Sequence, residues 1–377
     1  MDIQLKTMAL LALIGTLIGA RAEAENPYGL PDGLYSEVTT ERGVVVAELF
    51  FRQVPMTVAN HVGLAEGTLG PQPRKPFYAG ATWFRVVEGF VLQGGDPSGS
   101  GSGDAGYLFP DEIVPGLRHA GPGTLQMAND GPDTNGSQFC FMLSGQARLN
   151  YQHSVFGQVV RGLDVLPKIQ QGDTMRVKIL RLGADAQRFR ADEETFNSLV
   201  AKARRYAGAR APGPDAPFDD PDALLPAEWD RAKNFTYKLA NFERFTGVKL
   251  AARLLAAPPV AAAQLPAWLT AEASRLGVAK RGALAVYIAS TDEWQIHIGS
   301  ESAAAFLRSA PAGKATETLH ESLQSLIAAA KAEATTAISE ATRRLAPGES
   351  MTDARRIKIK ADALLDPLIF RLEVQEK

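Results

Sequence analysis

The sequence predicts a mainly β, closed antiparallel barrel over residues 25–183, followed by a separate α+β domain over residues 227–377. Three observations carry this. Short segments rich in β-branched residues recur from Tyr35 to Leu182 and are broken by Gly, Asn and Asp clusters, the punctuation of an antiparallel all-β unit. A chain of 377 residues exceeds what one core usually organises, so two folded units are expected. Between the β-rich part and the helix-rich remainder lies APGPDAPFDDPDALLP, Ala211 to Pro226, whose prolines and aspartates resist regular pairing. It reads as a linker, so residues 184–226 form a tail helix plus a Pro-rich connection.

The elements follow in order. Tyr35 to Phe51 alternates around Arg42-Gly43 and reads as a hairpin. Pro55 suits the first turn of a helix that carries Val58, Val62 and Leu64 and ends before Gly67. The proline-rich stretch Leu69 to Tyr78 reads as a surface loop. One strand is expected at Thr82 to Val87, a turn at Glu88-Gly89, and strand again at Phe90 to Gln93. Further strands are expected at Thr124 to Ala128, Gln138 to Leu143, Val155 to Val159 and Met175 to Leu182, then one amphipathic helix over Ala184 to Tyr206. In the second unit, Phe235 to Leu255 and Pro266 to Leu276 read as helices. Ala283 to Ala289 and Trp294 to Ile298 read as a hairpin, and Ala315 to Leu345 as a long alanine-rich helix.

Composition removes several function classes. The net charge is -2 and the basic residues form no dominant block, so the footprint of a nucleic-acid binder is missing. A single cysteine, Cys140, cannot form an internal disulfide, and stability must come from packing. At the start of the chain, Lys6 precedes an apolar run from Met8 to Ile18. Two Ala-x-Ala candidates follow, Ala20-Arg21-Ala22 and Ala22-Glu23-Ala24. That layout predicts a cleaved signal peptide at residues 1–24, since the run falls short of the ~20 residues needed to span hydrocarbon. A protein without a membrane anchor after cleavage, periplasmic or secreted, is expected.

Two stretches carry chemistry: WFRVVEGFVLQGGD, Trp83 to Asp96, and LQMANDGPDTNGSQF, Leu125 to Phe139. Each sets Arg, Gln or Asn beside apolar residues and glycines, a combination suited to gripping an uncharged, polarisable group, of which an amide is one, rather than a metal or a phosphate. With LNYQHSVFGQVV, Leu149 to Val160, the three blocks resemble the cyclophilin family of peptidyl-prolyl cis/trans isomerases over roughly Tyr35 to Gly183. The resemblance implies an eight-stranded closed barrel capped by two helices and action on proline-containing polypeptides. The chemistry has a simple demand. Twisting an X-Pro amide costs roughly 18 to 20 kcal/mol because resonance is lost, while the planar end states differ by only ~0.5 to 1 kcal/mol. A donor aimed at the nitrogen lone pair that reappears in the twisted state binds that state selectively. No nucleophile, proton relay or cofactor is required.

By the resemblance, Arg85 supplies that donor, and Gln93 and Asn129 hold the peptide through side chain and main chain. Phe90, Val91, Leu149 and His153 line the proline pocket, Val87 is a neighbouring apolar position, Gln138 lies below, and Gly101 and Ala128 form the rim. The sequence departs from the family at three places. Phe84 stands where many members have histidine. Cys140 replaces the aromatic residue at the pocket floor, which would weaken proline packing by about 1 to 3 kcal/mol unless Phe139 or Phe141 fills the space. Arg148 replaces a tryptophan associated in the family with tight cyclosporin binding, which implies weak inhibition by that drug.

The blander readings are these. Alone, Arg85 would read as a solvated strand residue, and it is the motif that reverses this. His61, His119, His153, His297 and His320 show no ligand spacing, so no metal site is expected. Cys140 reads as pocket lining rather than a nucleophile. Gly94 to Gly106 looks like a phosphate cradle but lacks the Gly-Lys-Ser/Thr ending and a following helix, so it reads as a loop. In the second unit, TGVKLAARLL and the run from Trp268 to Gly299 resemble the TPM family of exported α/β domains. The acidic metal-binding loop of such domains does not map onto this chain, so no site carries over and the domain's partner is unknown. Two functions from different classes follow: a prolyl isomerase acting on exported chains, or a noncatalytic proline-peptide-binding scaffold whose C-terminal domain binds a partner.

Overall fold

The computed structural model describes residues 26–226, 231–309 and 318–373, so the expected signal peptide at 1–24 lies outside the described residues. Strands β1 (Gly33–Thr40) and β2 (Gly43–Leu49) form the expected hairpin, closed at Thr40 and Gly43. Helix α1 (Pro55–Glu66) has proline in its first turn and ends at Gly67, whose φ of 74° is the left-handed geometry of a helix C-cap. Glu112 caps its other end, accepting from the amides of Met56 and Thr57 at 3.1 and 2.7 Å.

The sheet continues through β3 (Ala81–Thr82), β4 (Arg85–Val87), β5 (Val91–Gly94), β6 (Thr124–Met127), β7 (Phe139–Met142), β8 (Val155–Arg161) and β9 (Thr174–Leu182). Its order is β3-β9-β1-β2-β8-β6-β7-β5-β4, nine strands rather than eight, and no ladder joins β3 to β4. The closed eight-stranded barrel therefore gives way to a curled, open sheet. The single strand expected at Thr82 to Val87 is where the count changes. Its first part pairs with β9, its second with β5, and the break falls at Trp83 and Phe84. Trp83 turns wholly into the core, where its indole meets the rings of Phe139 and Phe141. The two sheet edges are thus consecutive in the chain without being bonded to each other.

After β9 the expected single helix splits into α2 (Gly183–Arg188) and α3 (Glu193–Lys202). Arg181 donates to the carbonyls of Ala186 and Phe189 at 3.0 and 2.6 Å, satisfying groups that a continuing helix would use. Asp192 then caps α3 by accepting from the Thr195 amide at 2.9 Å.

The segment read as a linker is partly structured, because β10 (Phe218–Asp219) pairs in parallel with β11 (Lys249–Leu255). A four-stranded sheet follows in the order β10-β11-β12-β13, with β12 (Gly282–Ile288) parallel to β11 and β13 (Glu293–Ile298) antiparallel, the expected hairpin. The helix expected over Phe235 to Leu255 is instead α4 (Arg231–Thr246) followed by β11. Gly247, at φ 68°, ends the helix, and Leu and Ala, good helix formers in isolation, are buried here in the middle of a sheet. Helix α5 (Leu265–Arg275) covers one face of this sheet. The other face meets α4, α6 (Ala303–Arg308), α7 (Leu319–Arg343) and α8 (Asp353–Leu372). Among the described residues no helix is long and apolar enough to cross a membrane.

The C-terminal unit is not separate in packing. Ile113 and Tyr151, from the first unit, belong to the same apolar cluster as Phe235, Leu239, Phe242 and Leu368.

Candidate active site

Strand pairing builds the site. Arg85 on β4 lies opposite Gln93 on β5, Gln93 opposite Cys140 on β7, and Cys140 opposite Gln126 on β6. Paired residues share a face, so these four side chains form one row across the sheet. The intervening residues Leu92, Phe141 and Leu125 point the other way into the main core, as the period of two requires. Val91, Cys140, Met142 and Leu149 make a small second cluster on the outer face, with Phe90 and Ala128 packed against it.

A chain of polar contacts fixes Arg85. Its Nη1 donates to Gln93 Oε1 at 3.1 Å, and Gln93 Nε2 donates to Gln138 Oε1 at 2.9 Å. Gln138 Nε2 donates to the carbonyls of Gly101 and Gly103 at 3.0 and 2.9 Å. That loop is itself organised by Asp96, which is fully buried and accepts from the amides of Ser98, Gly101 and Gly103 at 2.7, 2.6 and 3.1 Å. Burial opposes the charge of Asp96, but these donors and the Ser98 hydroxyl outweigh it and hold the carboxyl down at about 2. The glycine-rich loop thus wraps its own carboxylate, which leaves no role for a phosphate. A Cβ on Gly103 would sit 2.1 Å from Asp96 Oδ1, so the wrap requires glycine there.

The Arg85 guanidinium carbon lies 5.7 Å from the Phe90 ring centroid, and that of Arg148 lies 4.8 Å from the same ring. Arg148, considered in the sequence only as a replaced aromatic, is therefore a flank of the cleft. His153 Nδ1 sits 3.1 Å from the Met127 carbonyl, which can only accept, so Nδ1 carries the proton and Nε2 is left as an acceptor. Burial, with His119 and Arg148 nearby, pushes the His153 imidazole down to about 3 and keeps it neutral. Asn129 Nδ2 donates to the Gln152 carbonyl at 2.8 Å, so its side chain is spent holding the His153 turn.

Most expected site residues converge: Arg85, Phe90, Val91, Gln93, Ala128, Gln138, Cys140 and Leu149 share one surface, and Asn129, Leu149 and His153 line one cavity. Val87 lies opposite Val91 at the strand end, 38% exposed, beside the apolar cluster rather than within it. One expectation changes. Phe139 and Phe141 do not fill the space above Cys140, because pleating sends both to the opposite face, where they meet Trp83 and each other. The floor is built from Cys140 with Met142, a residue the motif reading passed over, and burial pushes the Cys140 thiol up to about 12. Gln126 was also missed; it is buried in the same row, and the alternation of β6 is the signal that would have found it. Among the described residues no group of three His, Cys, Asp or Glu side chains is placed to hold a metal ion.

The sequence comparisons, by family profile and by curated relatives, give one assignment. A family profile described as cyclophilin type peptidyl-prolyl cis-trans isomerase/CLD matches residues 35–184. The probable peptidyl-prolyl cis-trans isomerase A of Mycobacterium leprae (strain TN) is 48% identical over 127 residues, 32% of this chain and 70% of that relative. The peptidyl-prolyl cis-trans isomerase-like 1 of Mus musculus is 39% identical over 147 residues, 38% of this chain and 82% of that relative. A crystal structure of a Cryptosporidium parvum cyclophilin type peptidyl-prolyl cis-trans isomerase, 28% identical, covers 40% of this chain and 98% of its own, with a TM-score of 0.35.

Proposed function

The chain belongs to the cyclophilin-type peptidyl-prolyl cis-trans isomerases and is an isomerase of that class, and from this premise we propose that Arg85 drives the reaction on proline peptides of exported proteins. The observation that carries the mechanism is the Arg85 to Gln93 hydrogen bond beside the Phe90 ring. A guanidinium held at one Nη still has further N–H donors to offer a bound peptide. With the proline ring against Phe90, Val91 and Leu149, the twisting imide nitrogen comes within reach of such a donor, and its recovered lone pair accepts a bond that the planar amide cannot. Lowering the barrier by about 7 kcal/mol corresponds to roughly a 10⁵-fold acceleration, shared between this donor, which stands exposed on β4, and orientation of the peptide. His153 stays neutral and moves no proton, which suits a reaction that breaks no covalent bond.

The export role is supported by the signal-like layout of residues 1–24. Slow refolding phases limited by X-Pro isomerisation last tens of seconds or more, long enough for an exported chain to be exposed to aggregation. The purified protein is expected to shorten such a phase in a denatured secreted protein, and Arg85→Ala is expected to leave it slow. Equal acceleration by both would remove the arginine mechanism while leaving the family assignment intact.

A further inference from the structure

The cleft continues past the proline pocket onto the C-terminal unit. A cavity of about 370 Å³ is lined on one side by Asn129, Leu149 and His153 and on the other by Asn234, Tyr237 and Lys358. Its size falls in the range of about 300 to 1,000 Å³ typical of binding sites. Asn234, Tyr237 and Asn241 are three and four residues apart on α4, so the helix presents all three to the cavity on one face. Lys358 and Asp362 pair along α8 at its far edge.

This wall is fixed to the pocket rather than loosely apposed. Lys238, fully buried, pairs with Asp366 of α8 and donates to the Arg148 carbonyl at 3.3 Å, in the turn that carries Leu149. Asn241 Nδ2 donates to the Tyr151 carbonyl at 3.0 Å, and Arg244 Nη2 meets Asp133 Oδ1 at 2.8 Å. The Tyr151 hydroxyl donates to Glu373 Oε1 at 2.5 Å. Swinging the wall away would leave the buried Lys238–Asp366 pair without its partner at the Arg148 carbonyl.

We propose that α4 and α8 form a second wall of the substrate cleft, binding the polypeptide that flanks the proline. The inference rests on the reading of the adjoining pocket as the prolyl site. The chemistry of the cavity selects its occupant. Carboxamides, a phenol, the Lys358–Asp362 pair and one further charge of each sign, Asp130 and Arg148, offer donors and acceptors to a peptide backbone and polar side chains, and with two charges of each sign they concentrate none for an anion or cation. The preferred substrate is then an extended, unfolded segment of several residues on that side of the proline, and a minimal X-Pro peptide leaves the wall unused.

The test uses the full chain, with a tetrapeptide containing one X-Pro bond and a peptide of about twelve residues built on the same core. Wild type is expected to favour the longer peptide about fivefold or more in kcat/KM, through KM rather than kcat, as for binding realised equally in ground and transition states. Tyr237→Ala and Asn234→Trp, one emptying and one filling the cavity, should each collapse that preference. Tyr237→Phe, which keeps the ring packed and removes only the hydroxyl, should lose part of it with an unchanged unfolding midpoint, which separates contact with substrate from a general loosening of α4. Equal efficiency of wild type on both peptides, or a preference that survives both variants, overturns the proposal. Absence of tetrapeptide turnover by wild type would instead remove the prolyl reading of the pocket, and this inference with it.

Discussion

Gln93 Oε1 accepts from Arg85 Nη1 at 3.1 Å while its amide nitrogen donates to Gln138 at 2.9 Å, so the glutamine passes the position of a buried loop to the Arg85 guanidinium. Gln93→Leu keeps the volume and removes both bonds. The account expects kcat to fall about tenfold, near the loss of one charge-assisted hydrogen bond, with the fold intact by circular dichroism. Unchanged kcat would show that Arg85 needs no support.

The pH profile should be flat across the working range. His153 is pushed down to about 3 and His119 to about 4 by burial, and Cys140 is pushed up to about 12, so none of these three changes charge between about pH 5 and pH 9, whereas burial raises Asp111, which accepts from Asn241 behind the cavity wall, to about 6. For the histidines the folded value lies below the unfolded value of about 6.5. Below 6.5 the folded state therefore binds fewer protons than the unfolded state, and stability from this source is full above 6.5 and lost as pH falls toward 3. Rates of kcat/KM for a minimal X-Pro peptide, which leaves the Asn241 wall and Asp111 behind it unused, should stay level from pH 5 to 9 at fixed ionic strength. A step near 6.5 would place a titrating imidazole in the cleft.

Cys140 is 3% exposed and its thiol pKa is pushed up to about 12 by burial. At pH 8 the thiolate fraction is then on the order of one in ten thousand. Alkylating reagents should leave the native protein active over hours and label it rapidly after denaturation. Fast native labelling with loss of activity would contradict the packed floor.

Lys238 and Asp366 form a buried ion pair that ties α4 and α8 to the Arg148 carbonyl. Lys238→Met alone strands a carboxylate and should cost about 3 to 5 kcal/mol in denaturant unfolding, while adding Asp366→Leu should recover much of it. Additive losses in the double variant would show that the pair is not coupled.

How far the sequence could be read follows from where the information is local. Trp83 to Asp96 and Leu125 to Phe139 carry their own strands, turns and polar partners, so the row from Arg85 to Cys140 was visible in the motifs. Hairpins such as Ala283 to Ile298 were legible for the same reason. The split of the strand at Trp83 was not, because it depends on which edge each half meets. Helical preference misled at Lys249 to Leu255, where burial on both faces of a sheet outweighs propensity. Helix α8 went unassigned, with charges interleaved along its first turns and Pro367 inside it. The α4 wall had no local signal, since Tyr237 and Asn129 lie more than a hundred residues apart and meet only through tertiary packing.

The central claim is that one guanidinium, held by Gln93 beside Phe90, accelerates rotation about the X-Pro bond. Exchange NMR on a proline peptide with substoichiometric full-length protein measures that rotation directly. Wild type should produce cis/trans exchange cross-peaks within a fraction of a second, and Arg85→Ala should lower the exchange rate about 10² to 10³-fold while still shifting the peptide resonances on binding. Equal exchange rates for the two proteins would contradict the account.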